Sequence, residues 1–462
     1  MAPSPRPRCL LVVDLGFGDA GKGTLTDWLV RRHEARLVVR FNGGAQAGHN
    51  VITPDGRHHT FAQFGSGSLV PGVRTHFART TVLHPTALAV EARHLRDKGV
   101  PDALGRFTVS PEARLLTPFH QSVGRLRELA RGDHHHGTCG VGVGEVERDA
   151  LDAPGESLPA ALLADPTALR QAARRAQERL RLSLPRDRSP GEAAAPEWAL
   201  LDDPEAPARW AEVVTGLGPG QWLRDDDRLR AWLDEGPVVM EGAQGVLLDE
   251  WRGFHPHTTW STCTFDNALG ILDALGYDGP RVRLGVLRSY HTRHGAGPFP
   301  SESPGRAGGL PEPHNGADGW QGRFRVGDFD AVLARYALAA VGGVDGLCLT
   351  HLDRLEAAWP VCTAWRGPAD LDPARFVPAP GDPGRVTDLT LGPLRDLDGM
   401  ERVTRALGAV TPEREVLDLG PDPARRGEAF VQWVEAATGA PVVVRSEGPA
   451  AADKSLHRGR GV

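Results

Sequence analysis

The chain has 462 residues, enough for two small hydrophobic cores or one large core with insertions. Its net charge of −6 argues against a nucleic-acid-binding surface, which normally needs a basic face. No apolar run approaches the ~18 uninterrupted residues of a membrane span, so we expect neither nucleic acid nor membrane among its partners.

The cysteines indicate a reducing compartment. Their number is odd, no C-x-x-C pair occurs, and they stand alone at Cys9, Cys139, Cys263, Cys348 and Cys362. This pattern favours neither a disulfide framework nor a zinc ribbon. The first apolar run, Cys9–Val13, is ended by Asp14, too early for the core of a signal peptide. We therefore expect a cytoplasmic protein.

The first elements have the order strand, glycine-rich loop, helix. The mostly apolar run Cys9–Leu15 predicts a buried parallel strand, and Thr24–Arg32 predicts a helix. Between them, Gly16–Gly23 reads GFGDAGKG, which satisfies the G-x-x-x-x-G-K pattern of a phosphate-binding loop. We expect its backbone amides and Lys22 to bind phosphate, because glycines and a helix N-terminus both favour an anion there.

Two residues distinguish this loop from an ordinary Walker A motif. Gly23 follows Lys22, so the hydroxyl that would hold magnesium is absent, and Asp19 lies inside the loop. A carboxylate among phosphate-binding amides repels the ligand unless a metal or a proton transfer makes use of it. Taken alone, the segment also fits a glycine-rich strand–helix turn with a solvated aspartate.

A second glycine-rich loop follows the next predicted strand, Ala35–Phe41. It reads NGGAQAGHN over Asn42–Asn50 and contains His49. A histidine can donate a hydrogen bond to a phosphate or an oxyanion near neutral pH. By itself the loop would favour a merely hydrogen-bonded histidine, but the preceding phosphate loop favours a role in catalysis.

Later segments repeat the same pattern and predict the fold class. Pro237–Met240, Val282–Leu287 and Gly346–Thr350 are apolar runs that end in glycine-rich or polar loops. They predict an α/β fold: a large, central, mostly parallel sheet with a P-loop-like phosphate loop, flanking helices and a helical insertion. Leu163–Leu182 is predicted to be helical, and Pro185–Arg209 to be an exposed loop.

The change in composition along the chain predicts two parts. Residues 1–115 and 236–462 are predicted to form one discontinuous nucleotide-binding catalytic core. Residues 116–235 are predicted to form a mainly helical insertion subdomain.

The two loops and five later blocks resemble the adenylosuccinate synthetase family. The opening blocks are VVDLGFGDAGKG and NGGAQAGHN. The later blocks, in the same order as in the family, are EGAQGVLLD (Glu241–Asp249), YHTRHGAGPFPSE (Tyr290–Glu302), GRFR (Gly322–Arg325), LTHLD (Leu349–Asp353) and SEGP (Ser446–Pro449). The matches run from Val12 to Pro449. This family joins IMP and aspartate at the expense of GTP, with Mg²⁺.

The resemblance implies a role for each matching residue. Asp19 matches the general base and a metal ligand, His49 the general acid, and the backbone carbonyl of Gly48 a second metal ligand for Mg²⁺. The catalytic set is Asp19, Lys22, His49 and Gln244. The nucleotide-binding set is Gly18, Gly21, Lys22, Gly23, Asp353, Ser446 and Gly448. The acceptor-binding set is Gln46, Thr138, Cys139, Gln244, Thr259 and Arg323.

The resemblance also implies the partners of the chain. Arg323 and Arg325 match the arginines that bind aspartate, and their spacing of two puts both side chains on one face of an extended segment. A solvated basic loop is the alternative interpretation. The implied partners are GTP or ATP, aspartate, a purine-nucleotide-like acceptor and a second copy of the chain in a homodimer.

Several positions depart from the family pattern. An acid is replaced by Ala20, an asparagine by Gln46, and the guanine-reading lysine by His351. Within Gly137–Gly144, a phosphate-binding threonine is replaced by Cys139 and an arginine by Val141. Leu151 stands where the family has an arginine that enters the neighbouring subunit. Ala317–Gln321 replaces the threonine-rich aspartate loop of the family.

These departures predict retained chemistry on an altered acceptor. The residues of phosphoryl transfer are kept, whereas those that would bind the 5′-phosphate of IMP are depleted, and each lost charge-assisted bond costs about 1.5–3 kcal/mol. Two alternatives stay open. One is an IMP enzyme in which Arg148 or the run His134–His136 supplies the missing charge. The other is a nucleotide-binding regulatory protein without catalysis.

Overall fold

The computed structural model describes residues 8–132, 136–185, 191–310, 312 and 320–459. The strands of these residues are β1 Cys9–Asp14, β2 Leu37–Arg40, β3 His49–Ile52, β4 His58–Phe61, β5 Arg74–Phe77, β6 Val82–Leu83, β7 Phe107–Val109, β8 Arg114–Leu115, β9 Val238–Glu241, β10 Arg281–Arg288, β11 His291–His294, β12 Phe324–Gly327, β13 Phe329–Asp330, β14 Gly346–Thr350, β15 Ala358–Arg366, β16 Phe376–Ala379, β17 Asp382–Leu389, β18 Thr411–Asp418, β19 Val442–Ser446 and β20 Lys454–Leu456. The α-helices are α1 Lys22–His33, α2 Pro85–Asp97, α3 Pro118–Ala130, α4 Val143–Asp152, α5 Pro166–Leu182, α6 Ala195–Asp202, α7 Ala206–Gly216, α8 Asp226–Glu235, α9 Asp266–Ala274, α10 Ala331–Ala340, α11 Leu397–Leu407 and α12 Pro423–Thr438.

A nine-stranded sheet forms the centre of the fold. Its strand order is β20-β19-β14-β10-β1-β9-β2-β5-β7, and every pair is parallel except β19 with β20. Every residue of β1 is buried, as expected for a central strand covered on both faces. The predicted fold class, a large and mostly parallel sheet with flanking helices, is confirmed.

The five strands predicted from apolar runs are neighbours in this sheet. They are β14, β10, β1, β9 and β2, in that spatial order. Because parallel strands point the same way, the loops after them meet at one edge of the sheet. Helix α1 begins at Lys22, after Gly21 with a φ of 93°, so the predicted phosphate loop joins β1 to the N-terminus of a helix.

Residues 116–235 contain helices α3–α8, together with 3-10 turns. The helix predicted at Leu163–Leu182 is α5, but the loop predicted at Pro185–Arg209 is wrong in part, because α6 lies within it and α7 begins there. On α6 only Glu197 and Leu201 are buried, too few to show a clear period. The buried residues of α7 recur at helical spacing, at Ala206, Pro207, Trp210, Ala211 and Val214. Residues 186–190 lie outside the described part of the chain.

The helical segment shares a hydrophobic core with the strands that precede it. Phe107 of β7 contacts Trp222 edge to face, with ring centroids 5.9 Å apart. Both residues belong to a buried cluster that also includes residues of α2, α3, α5 and α7. The division of the chain into a core and an insertion subdomain stays a prediction.

Four smaller sheets complete the architecture of the described residues: one of five strands and the pairs β11–β12, β3–β4 and β6–β8. The strands β13, β15, β17 and β16 are paired in that order, with β18 on β15. The antiparallel pair β11–β12 places Arg293 opposite Arg325 and His294 opposite Phe324. Among the described residues, no helix combines the length and apolar character that crossing a membrane requires.

Candidate active site

A cavity of about 1120 Å³ lies at the loops that follow the central strands. The sequence-predicted residues that line it are Gly18, Asp19, Gly21, Lys22, Gly23, Gln46, Gly48, His49, Thr138, Cys139, Gln244, Thr259, Asp353, Ser446 and Gly448. Arg323 and Arg325 are the two described members of the predicted set that do not line it. One cavity therefore collects groups from seven separate segments of the chain.

The phosphate loop is held by a buried carboxylate at the end of β1. Asp14 accepts hydrogen bonds from the backbone amides of Gly16 and Ala20, both at 2.8 Å, and from Nζ of Lys22 at 2.9 Å. Asp14 and Lys22 are both buried. The lysine is therefore fixed in place at the first turn of α1, beside the glycines predicted to surround a phosphate.

Packing between the two loops explains the missing hydroxyl of the phosphate loop. A Cβ atom on Gly23 would lie 2.8 Å from Cβ of His49 and 3.0 Å from the carbonyl oxygen of Asn50. No serine or threonine fits there without moving the second loop. The glycine therefore brings the histidine loop into contact with the N-terminus of α1.

His49 is oriented by a buried carboxylate. Its Nδ1 lies 2.7 Å from Oε1 of Glu241, the last residue of β9, and the backbone amide of Ser66 donates to the other carboxylate oxygen at 3.0 Å. Burial raises the pKa of Glu241. The nearby charges of His49 and Arg40 outweigh the effect of burial and lower the pKa of Glu241 to about 2. The carboxylate is therefore ionised and holds a proton on Nδ1, which leaves Nε2 for a ligand.

Sequence reasoning missed Glu241 as a functional residue. The available signal was an acid that ends an otherwise apolar strand, directly before the glycine-rich segment with Gln244. Its partner could not be read from the chain, because 192 positions separate it from His49.

Asp19 is exposed to the cavity and has a φ of 59°, a left-handed conformation that is uncommon outside glycine. Its Oδ2 lies 3.2 Å from Nε2 of His294, and its backbone carbonyl accepts from Arg288 at 3.2 Å. Burial raises the pKa of Asp19, but His294, Lys22 and Arg288 outweigh that effect and lower it. His294, at the end of β11, was also missed, although it lies in the matched block Tyr290–Glu302.

Two glutamine side chains have unsatisfied amides beside the cavity. The amide nitrogen and oxygen of Gln46 and of Gln244 are buried, and none has a hydrogen-bond partner among the described residues. Gln244 also has a φ of 58°, and a Cβ on Gly43 would lie 2.7 Å from its Oε1. Buried polar groups are normally paired, so these two amides point to a ligand that supplies the missing bonds.

The described residues fit a magnesium ion that is only partly held by protein. The carboxylate of Asp19 and the backbone at Gly48 both line the cavity and are both exposed to it. Among the described residues, no group of three or more His, Cys, Asp or Glu could hold a metal by itself. Magnesium usually keeps several waters and binds one or two protein oxygens plus substrate phosphates, so this donor set suits it.

The predicted base-binding residues lie around the ends of β14 and β19. His351 has a φ of 58°, its Nδ1 lies 2.8 Å from Oγ1 of Thr350, and burial lowers its pKa well below the usual value. A neutral His351 therefore does not replace the positive charge of a lysine. Lys454 donates to the carbonyls of Ala450 at 2.9 Å and Gly448 at 3.5 Å, which ties β20 to the loop after β19.

The arginine pair shares one carboxylate partner. Arg323 lies 3.1 Å and Arg325 lies 2.8 Å from the two carboxylate oxygens of Glu302. The two side chains thus share a face, as their spacing predicts, but both are turned to Glu302 and away from the cavity lining. Of the neighbouring loop, Ala317, Asp318 and Gly319 lie outside the described residues.

The remaining predicted groups lie on α4 and in the loop before it. Arg148 lines the cavity, and its Nε lies 3.6 Å from Oε2 of Glu145. The side chain of Leu151 is 69% exposed. His134 and His135 lie outside the described residues, whereas His136 lines the cavity.

Comparisons with known proteins agree on one family. Residues 11–454 match the sequence model of adenylosuccinate synthetase. The adenylosuccinate synthetase of Mycobacterium tuberculosis is 32% identical over 372 residues, covering 77% of this chain and 80% of that protein.

Two solved structures have a similar fold. Fully ligated adenylosuccinate synthetase from Plasmodium falciparum superposes with a TM-score of 0.76 at 19% identity, over 97% of this chain and 99% of that one. The succinoaminodeoxyadenylate synthetase of cyanophage S-2L, bound to dGMP and to dATP as an energy donor, gives a TM-score of 0.50 at 18% identity, over 98% and 95%. The chain therefore belongs to the adenylosuccinate synthetase family of GTP-dependent carbon–nitrogen ligases.

Proposed function

We propose that this chain phosphorylates a carbonyl oxygen of a purine-nucleotide-like acceptor and then joins the same carbon to the amino group of aspartate. The observation that carries the proposal is the convergence of Asp19, Lys22, His49 and Gln244 on one cavity, with His49 held by an ionised Glu241. A protein that only binds a nucleotide gains nothing from an acid inside its phosphate loop.

The first step activates the acceptor. Asp19 takes the proton from a ring N–H beside the carbonyl, and the electron pair moves onto the carbonyl oxygen. This oxygen attacks the γ-phosphorus of the donor, and the bond between that phosphorus and the β–γ bridging oxygen breaks to release the diphosphate. Lys22 and the loop amides neutralise charge on the phosphates.

His49 acts on the transferring phosphoryl group. Burial lowers the pKa of His49, and the carboxylate of Glu241 opposes this shift. A bound triphosphate adds negative charge beside the imidazole, which together with Glu241 favours the protonated form. The imidazolium then donates from Nε2 to the developing phosphate charge, because Glu241 occupies Nδ1.

The second step forms the carbon–nitrogen bond. The amino group of aspartate attacks the carbon, the carbon–oxygen bond breaks, and phosphate leaves with the former carbonyl oxygen. Without phosphorylation this oxygen would have to leave as hydroxide, a much poorer leaving group. Magnesium, when bound by Asp19 and the carbonyl of Gly48, supplies positive charge to the phosphates.

We favour GTP as the donor and an acceptor other than IMP. Asp353 can accept two hydrogen bonds from the N1 and N2 edge of guanine, whereas adenine offers no such pair. Cys139 and Val141 stand where the family has a phosphate-binding threonine and an arginine. The fold tolerates other ligands, since the cyanophage synthetase was solved with dGMP and with dATP as an energy donor.

A conventional adenylosuccinate synthetase with a divergent IMP pocket is the second candidate, and the 32% identity to the mycobacterial enzyme favours it. The test is phosphate release by the purified protein with GTP or ATP, Mg²⁺, aspartate and a panel of lactam acceptors. The proposal expects release that requires both aspartate and an acceptor, with a new adduct in the mass spectrum. IMP as the best acceptor would support the second candidate, and no release with any acceptor would support a non-catalytic binding protein.

A further inference from the structure

The strand β11 contacts the phosphate loop at two points. The guanidinium of Arg293 lies over the ring of Phe17, 4.3 Å from the ring centroid, and donates to the carbonyl of Pro298 at 2.9 Å. One residue further along the strand, Nε2 of His294 lies 3.2 Å from Oδ2 of Asp19. Both His294 and Asp19 line the cavity. The end of β11 therefore meets the phosphate loop at the residue that acts as the base in the proposed function.

The imidazole of His294 is held by the neighbouring strand. His294 lies opposite Phe324 in the antiparallel pair β11–β12, and the centroids of the two rings are 4.8 Å apart, with an angle of 64° between the ring planes. The amide of the next residue, Gly295, donates to the carbonyl of Arg323 at 3.0 Å. Side chains on paired strands are placed more precisely than side chains on loops. The imidazole therefore has a defined position from which to contact Asp19.

The hydrogen bond between the two side chains has a definite direction. In the proposed function Asp19 takes up a proton, so its carboxylate is ionised beforehand and can only accept hydrogen bonds. Nε2 of His294 must then carry a hydrogen and be the donor. This arrangement is the reverse of the one at His49, where the carboxylate of Glu241 orients the imidazole.

The backbone and the side chain of Asp19 are held by different strands. Its backbone carbonyl accepts from Nη1 of Arg288, at the end of β10, and its Oδ2 lies beside His294 of β11. An ionised carboxylate has about four lone-pair sites on its two oxygens. One bond from His294 therefore leaves sites for the ring N–H of an acceptor and for magnesium.

We propose that His294 is a positioning residue for the base, donating from Nε2 to Oδ2 of Asp19 and so holding the carboxylate in the orientation that meets the ring N–H of the acceptor. The inference rests on the ligase function proposed above. The proton of the acceptor goes to Asp19, so His294 gains and loses no proton in the step. Its contribution is geometric, because a displacement of about 1 Å in a reacting group can lower a rate by about a hundredfold.

Two substitutions separate the hydrogen bond from the packing of the ring. His294→Gln keeps an N–H donor in place of Nε2 but removes the ring, whereas His294→Phe keeps a ring against Phe324 but removes the donor. We expect His294→Phe to lower kcat by about tenfold or more, and His294→Gln to stay within about threefold of the wild type. The KM values for GTP and aspartate should change by less than about threefold in both variants, because the proposed role concerns the proton-transfer step alone.

A matched control and two outcomes decide the test. His94→Phe makes the same substitution at an exposed residue of α2, and it should leave kcat unchanged. Wild-type kcat in folded His294→Phe protein would overturn the inference and leave the ligase function standing. A kcat for His294→Gln as low as that for His294→Phe would also overturn it, because His294 would then act through its packing.

A measurement of the bond itself does not depend on activity or on the folding of His294→Phe. In protein labelled with nitrogen-15 histidine, we expect NMR to detect an Nε2 hydrogen on His294 that is protected from exchange with water, with the signal assigned by its absence from His294→Gln. The protection should be lost in Asp19→Ala. A wild-type protein without a protected Nε2 hydrogen, or protection that persists in Asp19→Ala, would overturn the inference. A protected hydrogen in a protein that shows no aspartate-dependent phosphate release would refute the ligase function, and with it the role in proton uptake, while leaving the bond between His294 and Asp19 standing.

Discussion

The buried pair His49–Glu241 is the residue-scale feature on which the chemistry depends most. Neither side chain is close to the other in sequence, and the loop glycine Gly23 is what lets His49 approach the phosphate loop. The sequence predicted catalytic roles for Asp19 and His49, since an acid in a phosphate loop and a histidine after glycines both suggest catalysis. The partners of these two residues, His294 for Asp19 and Glu241 for His49, could not be predicted, because tertiary contacts bring together segments that are distant in sequence.

Replacement of either catalytic residue should separate chemistry from binding. We expect Asp19→Asn and His49→Ala each to lower kcat by about a hundredfold or more, because each removes a proton-transfer or charge-stabilising group from the transition state. Binding of the donor nucleotide, measured by calorimetry, should survive in both variants. Normal turnover in either would remove the proposed mechanism.

The Glu241 carboxyl should contribute a pH-dependent part of the stability. Its pKa is lowered from 4.5 to about 2 in the folded chain, so the folded state binds fewer protons than the unfolded state between these values. The resulting stabilisation is fully present above about pH 4.5 and is lost as pH falls toward 2.

Urea unfolding from pH 7 down to pH 4 tests this contribution. Wild-type protein should be more stable than Glu241→Gln at pH 7, and the difference should begin to shrink below about pH 4.5. A difference that stayed constant or grew as the pH fell would show that the carboxylate is not ionised in the folded chain.

The donor preference depends on Asp353, which lines the cavity after β14. We expect kcat/KM to be at least about tenfold higher with GTP than with ATP, because two hydrogen bonds to guanine are lost with adenine. Asp353→Ala should narrow this ratio. Faster turnover with ATP in the wild-type protein would show that Asp353 does not read guanine.

At the scale of secondary-structure elements, the parallel strands were the most predictable part of the fold. Each is a short apolar run that ends in glycine or a polar residue, and the five that were predicted lie side by side. Helix α6 was missed because it buries only two residues, and prolines at the start of both α6 and α7 favoured a loop there. Short helices of this kind are stabilised by tertiary packing, which a local pattern does not reveal.

The hairpin β11–β12 carries the predicted aspartate-binding pair. Arg325 is bonded to Glu302 at 2.8 Å and to the carbonyl of Gly297 at 2.9 Å. A substrate dicarboxylate would have to take the place of Glu302 as the partner of the two arginines.

Removing one arginine should weaken aspartate specifically. We expect Arg325→Leu to raise the apparent KM for aspartate by about tenfold or more, the loss of roughly one charge-assisted contact. The KM for GTP should change by less than about threefold. Turnover of alanine or ammonia as fast as aspartate by the wild-type protein would show that the pair is not a carboxylate-binding site.

At the scale of the whole molecule, the family resemblance predicts a homodimer. The position that would carry an arginine into the neighbouring site is Leu151, which is 69% exposed on α4. An exposed leucine is compatible with a subunit contact but cannot supply charge to a neighbouring cavity. We therefore expect a dimer whose sites do not share a residue at this position.

Sedimentation velocity at micromolar concentration tests the assembly. A species of twice the 49.6 kDa chain mass is expected. Leu151→Glu should weaken the dimer if this face lies in the contact. A fully active monomer would discard the dimer prediction.

In the proposed mechanism the oxygen of the acceptor carbonyl is phosphorylated before the carbon–nitrogen bond forms. The most direct measurement uses an acceptor labelled with oxygen-18 at that carbonyl, turned over with GTP, Mg²⁺ and aspartate, with the released phosphate analysed by mass spectrometry. We expect one labelled oxygen in each phosphate released during adduct formation, because the former carbonyl oxygen leaves with the phosphoryl group. Adduct formation with unlabelled phosphate, and the label in water instead, would contradict it.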